Sequence, residues 1–186
     1  MTRPPFAPFT EADIAIVTAQ LGRPARDVVG IPARCVCGAP TVVATAPRLH
    51  DGTPFPTLYY LSHPGATAAI SALEATQVMN EYNALLAEDE NMRDAYAAAH
   101  ASFLADRETL GSVPEIAGIS SGGMPSRVKC LHALAAHSLS AGPGVNPIGD
   151  LALARANWSP SVCVCLDYSA ATGISDTSDT PGSAGA

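Results

Sequence analysis

Two copies of the tripeptide Cys-Val-Cys lie near opposite ends of this chain, and they constrain its fold more than any other feature. The first copy supplies Cys35 and Cys37, and the second supplies Cys163 and Cys165. Because side chains alternate along an extended strand, both sulfurs of such a pair lie on one face. Each pair can share a metal ion, or bind one jointly with another element, and both zinc and iron–sulfur sites accept thiolates in this way. If the two pairs share an ion, these distant segments must meet.

One further cysteine and one histidine extend the candidate ligand set. Cys130 is the fifth cysteine, and Cys130 or His63 is a candidate to replace one of the four thiols. In a reducing cytosol, clustered thiols indicate metal ligation or redox chemistry more often than stable disulfides. No spacing typical of a known zinc finger or ferredoxin is matched, so buried cysteines without a metal are the alternative. The predicted cofactor is zinc or an iron–sulfur cluster.

The composition indicates one folded domain. The chain has 186 residues, of which 47% are hydrophobic and 15% charged, which suffices for a single core at about 150 residues per domain. The formal net charge of −7 disfavours binding to phosphate backbones. No run approaches the ~18 apolar residues of a membrane-spanning helix, and the first twenty residues lack the apolar run of a signal peptide. We expect a cytoplasmic protein that binds neither nucleic acid nor membranes.

The N-terminal third predicts a helix followed by a small antiparallel sheet. A variant capping box at Thr10 precedes a helix predicted from about 11 to 21. Residues 27–36, 41–46 and 57–62 are rich in β-forming side chains and are separated by Pro- and Gly-containing turns, which predicts three strands.

The central part of the chain has helical periodicity. Apolar residues predict one helix across 66–87 and a second across 91–110, folded back on each other as a helical pair, with Asp89 as the N-cap of the second. A further helix is predicted to begin just after the sequence SSGGMP, and Asp150 is predicted to cap a short last helix.

The whole pattern predicts an α+β fold. Residues 1–168 form one domain in which a small antiparallel sheet packs against helices, including the helical pair. Residues 169–186 are mainly Ser, Thr, Gly, Ala and Asp and predict a disordered tail. The alanine-rich surfaces of the helical pair are also compatible with an adaptor in a larger assembly, so a protein partner is one alternative.

The stretch SRVKCLHALAAH raises the question of a second kind of site. The predicted helix begins after Ser121, Gly122 and Gly123. At such a start, free N–H groups and the positive end of the helix dipole favour an anion. Arg127 and Lys129 add positive charge near the first turn. A phosphate or a carboxylate would neutralise this charge, so a small anionic ligand is a candidate partner.

An enzyme acting on a phosphorylated or carboxylated small molecule is therefore an alternative function. His132 or His137 would serve as general acid or base, since the unperturbed pKa of histidine is about 6.5. Cys130 is the candidate nucleophile, activated by Lys129 and Arg127. Against this, no Cys–His–Asp order of a known thiol hydrolase is present. Cys130 is also explained as a small buried hydrophobe, and His137 is equally explained as a packing histidine.

Three motifs, GTPFPTLYYLSHP, SSGGMPSRVKCLHALAAHSL and GPGVNPIGD, follow one another along the chain. With these motifs, a region of about residues 20–158 resembles the bacterial family known as domain of unknown function 501. The resemblance implies small cytoplasmic proteins with no established activity and no assigned catalytic residues.

The resemblance also selects individual positions. The Cys-x-Cys pair of the family corresponds to Cys35 and Cys37, whereas the position of His63 carries Cys, His or non-ligating residues in related chains. Cys163 and Cys165 lie where the resemblance fades. The other matched positions are Arg48, Asp51, Arg127, Lys129, Cys130, His132, His137 and Asn146. Arg48 and Asn146 thereby join the candidate ligand-binding residues.

The sequence thus predicts first a cytoplasmic metal-binding protein of unknown activity, and second the enzyme or the adaptor. The candidate metal ligands are Cys35, Cys37, His63, Cys130, Cys163 and Cys165.

Overall fold

The computed structural model describes residues 3–168 and residue 171. Within these residues the chain forms six α-helices and one three-stranded antiparallel sheet, so the predicted α+β class is confirmed. The predicted disordered tail, 169–186, lies outside the described residues apart from residue 171. In the described part of the chain, no helix is both long enough and apolar enough to cross a membrane.

The first helix, α1 (Glu11–Leu21), has the predicted bounds and the predicted cap. The N–H of Asp13 donates to the Thr10 hydroxyl at 3.1 Å, and the N–H of Thr10 donates to the Asp13 carboxylate at 2.9 Å. These reciprocal bonds satisfy donors that the first helical turn leaves free. Gly22 then ends the helix in the left-handed conformation, at φ 64°.

The sheet has three strands in the order β1-β2-β3, and each neighbouring pair is antiparallel. The strands are β1 (Val28–Arg34), β2 (Pro40–Thr45) and β3 (Tyr59–Leu61). β1 and β3 fall inside the predicted segments 27–36 and 57–62, and β2 begins one residue before the predicted segment 41–46. Every residue of the central strand β2 is buried, because both faces of the sheet are covered.

The two faces of β2 contact different parts of the protein. Val43 packs with Val17 of α1 and Ile31 of β1 in a small cluster on one face. Val42 and Ala44 point to the opposite face and join the main core, to which the remaining helices contribute. The alternation of side chains along a strand therefore places α1 alone on one side of the sheet.

The predicted helical pair is wrong in one respect, because its first member is two helices. The three helices are α2 (Pro64–Ala75), α3 (Val78–Glu88) and α4 (Glu90–Glu108). The break lies at Thr76 and Gln77, where the Thr76 hydroxyl donates to the Leu73 carbonyl at 2.7 Å and Gln77 takes a left-handed φ of 63°. The predicted cap of α4 is correct, since the Asp89 carboxylate accepts the N–H of Met92 at 3.1 Å.

The helix predicted to begin after SSGGMP begins six residues beyond that hexapeptide, so its predicted start is wrong. The next two helices are α5 (Leu131–Ala141) and α6 (Pro147–Arg155), and a short 3-10 helix spans Pro114–Ile116. Residues 122–130 form a loop instead, because their backbone groups have hydrogen-bond partners that a helix would not supply. The Gly122 carbonyl accepts the N–H of Lys129 at 2.8 Å, and Asn83 of α3 exchanges two hydrogen bonds with Val128.

The predicted cap of α6 is also wrong. Asn146, not Asp150, is the N-cap, and its side-chain oxygen accepts the N–H of Gly149 at 2.9 Å. Asp150 lies one turn further on, where its carboxylate accepts bonds from the Ser138 hydroxyl and from the N–H of Gly144. It therefore joins α6 to α5 and to the loop between them.

Three buried rings join the sheet to α4 and α5. The ring of Tyr59 stacks on His137 at 5.6 Å and meets Phe103 edge-on at 5.8 Å. The Tyr59 hydroxyl donates to Asp106 at 2.8 Å, and Asn146 lies 3.2 Å from Nδ1 of His137. Because His137 has no exposed surface, burial lowers its pKa to about 4.

We expect His137 to make the stability of the protein pH-dependent. Its pKa is about 4 in the folded protein and 6.5 as the ordinary value, so the unfolded chain binds the proton more readily. The free energy of unfolding should fall as pH drops from about 6.5 to about 4, by ~3 kcal/mol from this residue. Chemical denaturation of the wild type and His137→Gln at several pH values measures the difference.

The matched control is His50→Gln, because the His50 side chain is 65% exposed. Above about pH 5 this variant should keep the pH dependence of the wild type; at lower pH it also removes the hydrogen bond that lowers the pKa of Asp27. An equal slope in His137→Gln and the wild type would contradict the prediction.

Candidate metal centre

The structure brings the two Cys-Val-Cys pairs together. The four sulfurs of Cys35, Cys37, Cys163 and Cys165 all lie within 4.8 Å of one another. The sulfurs of Cys37 and Cys165 are 3.3 Å apart, which is hydrogen-bond distance, although the two residues are 128 positions apart in the sequence. All four are free thiols.

The first pair lies in a tight loop that leaves the end of β1. The N–H of Cys35 donates to the Ala39 carbonyl at 2.9 Å, and the N–H of Gly38 donates back to the Cys35 carbonyl at 2.8 Å. Gly38 takes a φ of 90°, a region that favours glycine. The Arg34 guanidinium donates to the Gly38 carbonyl and to the carboxylate of Asp13 in α1, both at 2.9 Å. The loop is therefore fixed from both sides.

The second pair lies in the extended segment after α6, which contacts the first loop directly. The N–H of Val36 donates to the Pro160 carbonyl at 2.8 Å. Near the start of α2, a Cβ on Gly65 would lie only 2.9 Å from Cγ2 of Val164. The absence of a side chain at Gly65 thus lets Val164, between the two cysteines, pack against α2.

His63 lies beside the four sulfurs and is fully buried. As the N-cap of α2, its Nδ1 accepts the N–H of Ala66 at 3.2 Å, so the neutral ring carries its proton on Nε2. That Nε2 lies 3.1 Å from Sγ of Cys165. In this tautomer His63 donates to the sulfur and has no lone pair for a metal. The ring of Trp158 packs 5.4 Å from the ring of His63.

The surroundings of the Cys165 thiol disfavour its ionisation. The pKa of the Cys165 thiol is raised, first by burial and then by hydrogen bonds with the other three thiols. Cys35 is buried, Cys165 is half-buried, and Cys37 and Cys163 are exposed. Four thiolates at this spacing repel one another unless a cation lies between them.

The sulfur spacing is compatible with a single bound metal ion. A tetrahedral zinc ion with Zn–S bonds of about 2.3 Å separates its sulfur ligands by about 3.8 Å. Sulfurs that all lie within 4.8 Å of one another reach this arrangement by small side-chain rotations. The four-cysteine group is therefore compatible with metal binding.

Cys130, the fifth candidate ligand, lies outside this group. It belongs to a second cluster with Glu74 and His132, in which the sulfur, ring nitrogen and carboxylate oxygen lie within 4.8 Å of one another. Nδ1 of His132 is 3.3 Å from the Glu74 carboxylate. Glu74 was not a candidate from the sequence, because a glutamate at the end of a helix carries no local signal of a contact with His132, 58 positions away.

The predicted anion site is occupied by the protein's own packing. A Cβ on Gly122 would lie 2.5 Å from the side chain of Leu134, and one on Gly123 would lie 2.5 Å from the Arg127 carbonyl. The two glycines thus allow the loop to pack closely on itself and on α5. The side chains of Arg127 and Lys129 are exposed, and they do not lie at the first turn of a helix.

The other candidate ligand-binding residues have structural partners. Arg48 pairs with Glu115 at 2.7 Å, and the buried Ser121 hydroxyl donates to Thr57 at 3.3 Å. Asn146 is fully buried as the cap of α6. The candidate catalytic residue His137 is enclosed in the ring cluster of the core. Of the candidate catalytic residues, Cys130 and His132 line a cavity.

Fold and site together define a small α+β domain with a four-cysteine group where its sheet meets its C-terminal segment. The chain belongs to the family described as Protein of unknown function (DUF501), whose sequence model matches residues 31–154. The matched range contains Cys35 and Cys37 and ends before Cys163 and Cys165. No curated protein and no solved structure matches the chain.

We expect mild oxidation, in the presence of a chelator, to link the two pairs by a disulfide. The sulfurs of Cys37 and Cys165 are only 3.3 Å apart, so these two residues are placed to form the bond. Peptide mapping by mass spectrometry should find a cross-link between the first and the second Cys-Val-Cys.

The variant Gly65→Leu tests the packing that holds the second pair in place. It should lower the yield of the cross-link, because the new side chain displaces Val164. Ala68→Leu, at an exposed position of the same helix, is the control and should leave the yield unchanged. Cross-links that mainly involve Cys130 would contradict this arrangement.

Proposed function

We propose that this is a zinc-binding protein in which Cys35, Cys37, Cys163 and Cys165 hold one structural zinc ion. The observation that carries the proposal is the convergence of four free thiols from two distant segments within 4.8 Å. Four thiolates fill the tetrahedral coordination of zinc and leave no open position for a substrate. The ion would therefore join the C-terminal segment to the end of β1.

The close spacing favours a single ion over an iron–sulfur cluster. In a cluster, several iron and sulfide atoms stand between the cysteine sulfurs, which must lie further apart than the ligands of one ion. The separations within 4.8 Å suit one tetrahedral centre. A cluster would need both loops to move apart, against the hydrogen bond between Val36 and Pro160.

The contribution of zinc should be local. Structural zinc sites supply on the order of 10 kcal/mol of binding free energy, and unfolded apo forms are typical of domains without a core of their own. Here a core of buried residues extends over the sheet and α2–α6. The ion would hold residues 157–168 in place. Free clustered thiols also require a reducing compartment, which supports the cytoplasm as the location.

We expect the freshly purified, reduced protein to contain one zinc ion per chain by elemental analysis. Cys35→Ser and Cys165→Ser should each lose most of this zinc, because either change breaks the four-sulfur set. Cys130→Ser is the matched control and should keep one zinc. Cobalt substitution should give the intense sulfur-to-cobalt absorption of four-thiolate coordination.

Removal of the ion should free the C-terminal segment. With chelator, chymotrypsin should cut near Trp158 and Leu166 while α-helical circular dichroism is retained. Absence of stoichiometric metal in protein kept reduced and anaerobic would overturn the proposal. A brown iron–sulfur chromophore would show that the four cysteines hold a cluster instead of zinc.

His63 should tune the site as a hydrogen-bond donor. His63→Asn keeps a good helix N-cap but cannot reach the Cys165 sulfur. We expect this variant to bind one zinc with the cobalt spectrum of four thiolates, and with affinity about 10-fold lower, the loss typical of a missing partner to a metal ligand. Competition with a chromophoric chelator measures it. A changed cobalt spectrum would instead make His63 a ligand, and unchanged affinity would remove its role.

A further inference from the structure

A second cluster of reactive side chains lies at the start of α5, apart from the four cysteines. Glu74, Cys130 and His132 have their functional atoms within 4.8 Å of one another, and all three are half-buried. Cys130 and His132 line a cavity of about 300 Å³, at the lower end of the range for small-molecule pockets. The other residues around this cavity are Thr57, Tyr59, Tyr60, Leu61, Thr67 and Ala133.

The contacts of His132 indicate a ring that carries both protons. Its Nε2 lies 3.3 Å from the Thr67 carbonyl and 3.1 Å from the Ser71 hydroxyl, and its Nδ1 lies 3.3 Å from the Glu74 carboxylate. Nε2 can donate to the Thr67 carbonyl, and the Glu74 carboxylate lies at ion-pair distance from Nδ1, where it stabilises a second proton on the ring. In agreement, the Cys130 side chain and, less strongly, Glu74 raise the pKa of His132.

The Cys130 sulfur lies within 4.8 Å of a nitrogen of this ring. The side chain of His132 lowers the pKa of the Cys130 thiol, against the opposing effects of burial and of Glu74. Cys130 is also the N-cap residue of α5, where the helix dipole favours a negative charge. A helix start and a neighbouring imidazolium are the surroundings in which cysteines become nucleophilic.

Glu74 positions the other two residues. Its carboxylate accepts the N–H of Leu131 at 2.6 Å, which ties the end of α2 to the first turn of α5. The same oxygen faces Nδ1 of His132. The ring is therefore held beside Cys130 by a residue that does not line the cavity.

We propose that Cys130 is a nucleophile with His132 as its imidazolium partner, and that the cavity accepts a small, largely apolar acyl group delivered as a thioester. The Cys130 sulfur attacks the carbonyl carbon and forms a new C–S bond. The bond from that carbon to the leaving sulfur breaks, and His132 gives the leaving sulfur its proton. The step exchanges one thioester for another and needs no oxidant. The aromatic and aliphatic cavity wall favours an apolar acyl chain.

The first test is the rate of Cys130 alkylation by iodoacetamide as a function of pH, followed by peptide mapping of the intact, zinc-containing protein. At about pH 6.5, Cys130 should react about tenfold faster in the native protein than in the denatured chain, because more of it is thiolate. His132→Gln should remove this advantage. The other titratable side chains at the cavity are Tyr59 and Tyr60 of β3, and Glu74 faces the ring from α2.

Glu88→Gln is the matched control, since Glu88 is exposed and does not line the cavity. It should leave the alkylation profile unchanged. In Glu74→Gln, which keeps an acceptor for Leu131, the pKa of His132 followed by NMR should fall. A native rate equal to that of the denatured chain, or an equal loss in Glu88→Gln and His132→Gln, would overturn the assignment.

The second test is acyl transfer from S-phenyl thioacetate. The expected result is a stoichiometric burst of thiophenol with the acetyl group on the Cys130 peptide, no burst in Cys130→Ser, and a burst about tenfold slower in His132→Gln. Zinc content should stay at one per chain in both variants, which separates this test from that of the four-cysteine site. No acetylation of Cys130, or loss of a metal ion on its replacement, would overturn the proposal.

Discussion

The packing of the Tyr59 ring of β3 against α4 and α5 is the contact on which the relative positions of the sheet and these helices depend. Its ring stacks on His137 of α5 and meets Phe103 of α4, and its hydroxyl is held by Asp106. These contacts fix α5 across the sheet. Asn146, which caps α6 and contacts His137, then sets the direction of α6. The segment after α6 then contacts the loop of Cys35 through the hydrogen bond from the Val36 N–H to the Pro160 carbonyl.

Cysteine therefore has two different environments in this one small domain. The four clustered cysteines surround one another, and their fifth polar neighbour, His63, directs a hydrogen atom at the Cys165 sulfur. Such a set is compatible with a cation bound at its centre. Cys130 instead has one cationic neighbour and an open cavity beside it. Packing, and not the number of cysteines, separates a closed thiolate centre from an accessible nucleophile.

Features that depend on local chemistry were predictable from the sequence. The capping box at Thr10, the cap at Asp89 and the three strands each follow from residues within one turn or one strand. The family followed from motifs that are contiguous in the chain.

Features set by distant partners were not predictable. The loop before α5 is stabilised by Asn83, so the glycine–proline signal of a helix start was overridden there. A glutamine in the left-handed conformation divides α2 from α3, and periodicity alone does not reveal such a break. Which cysteines meet, and that Glu74 reaches His132, are consequences of tertiary packing.

The order of the two cysteine pairs along the chain has a consequence for biosynthesis. A ribosome makes the sheet, the helices and the first pair well before the second pair, which is 128 positions behind. A nascent domain thus has only Cys35 and Cys37 of the four clustered cysteines, and a prematurely terminated product never gains the other two. Binding of the proposed zinc ion by all four sulfurs would then be possible only after translation had passed residue 165.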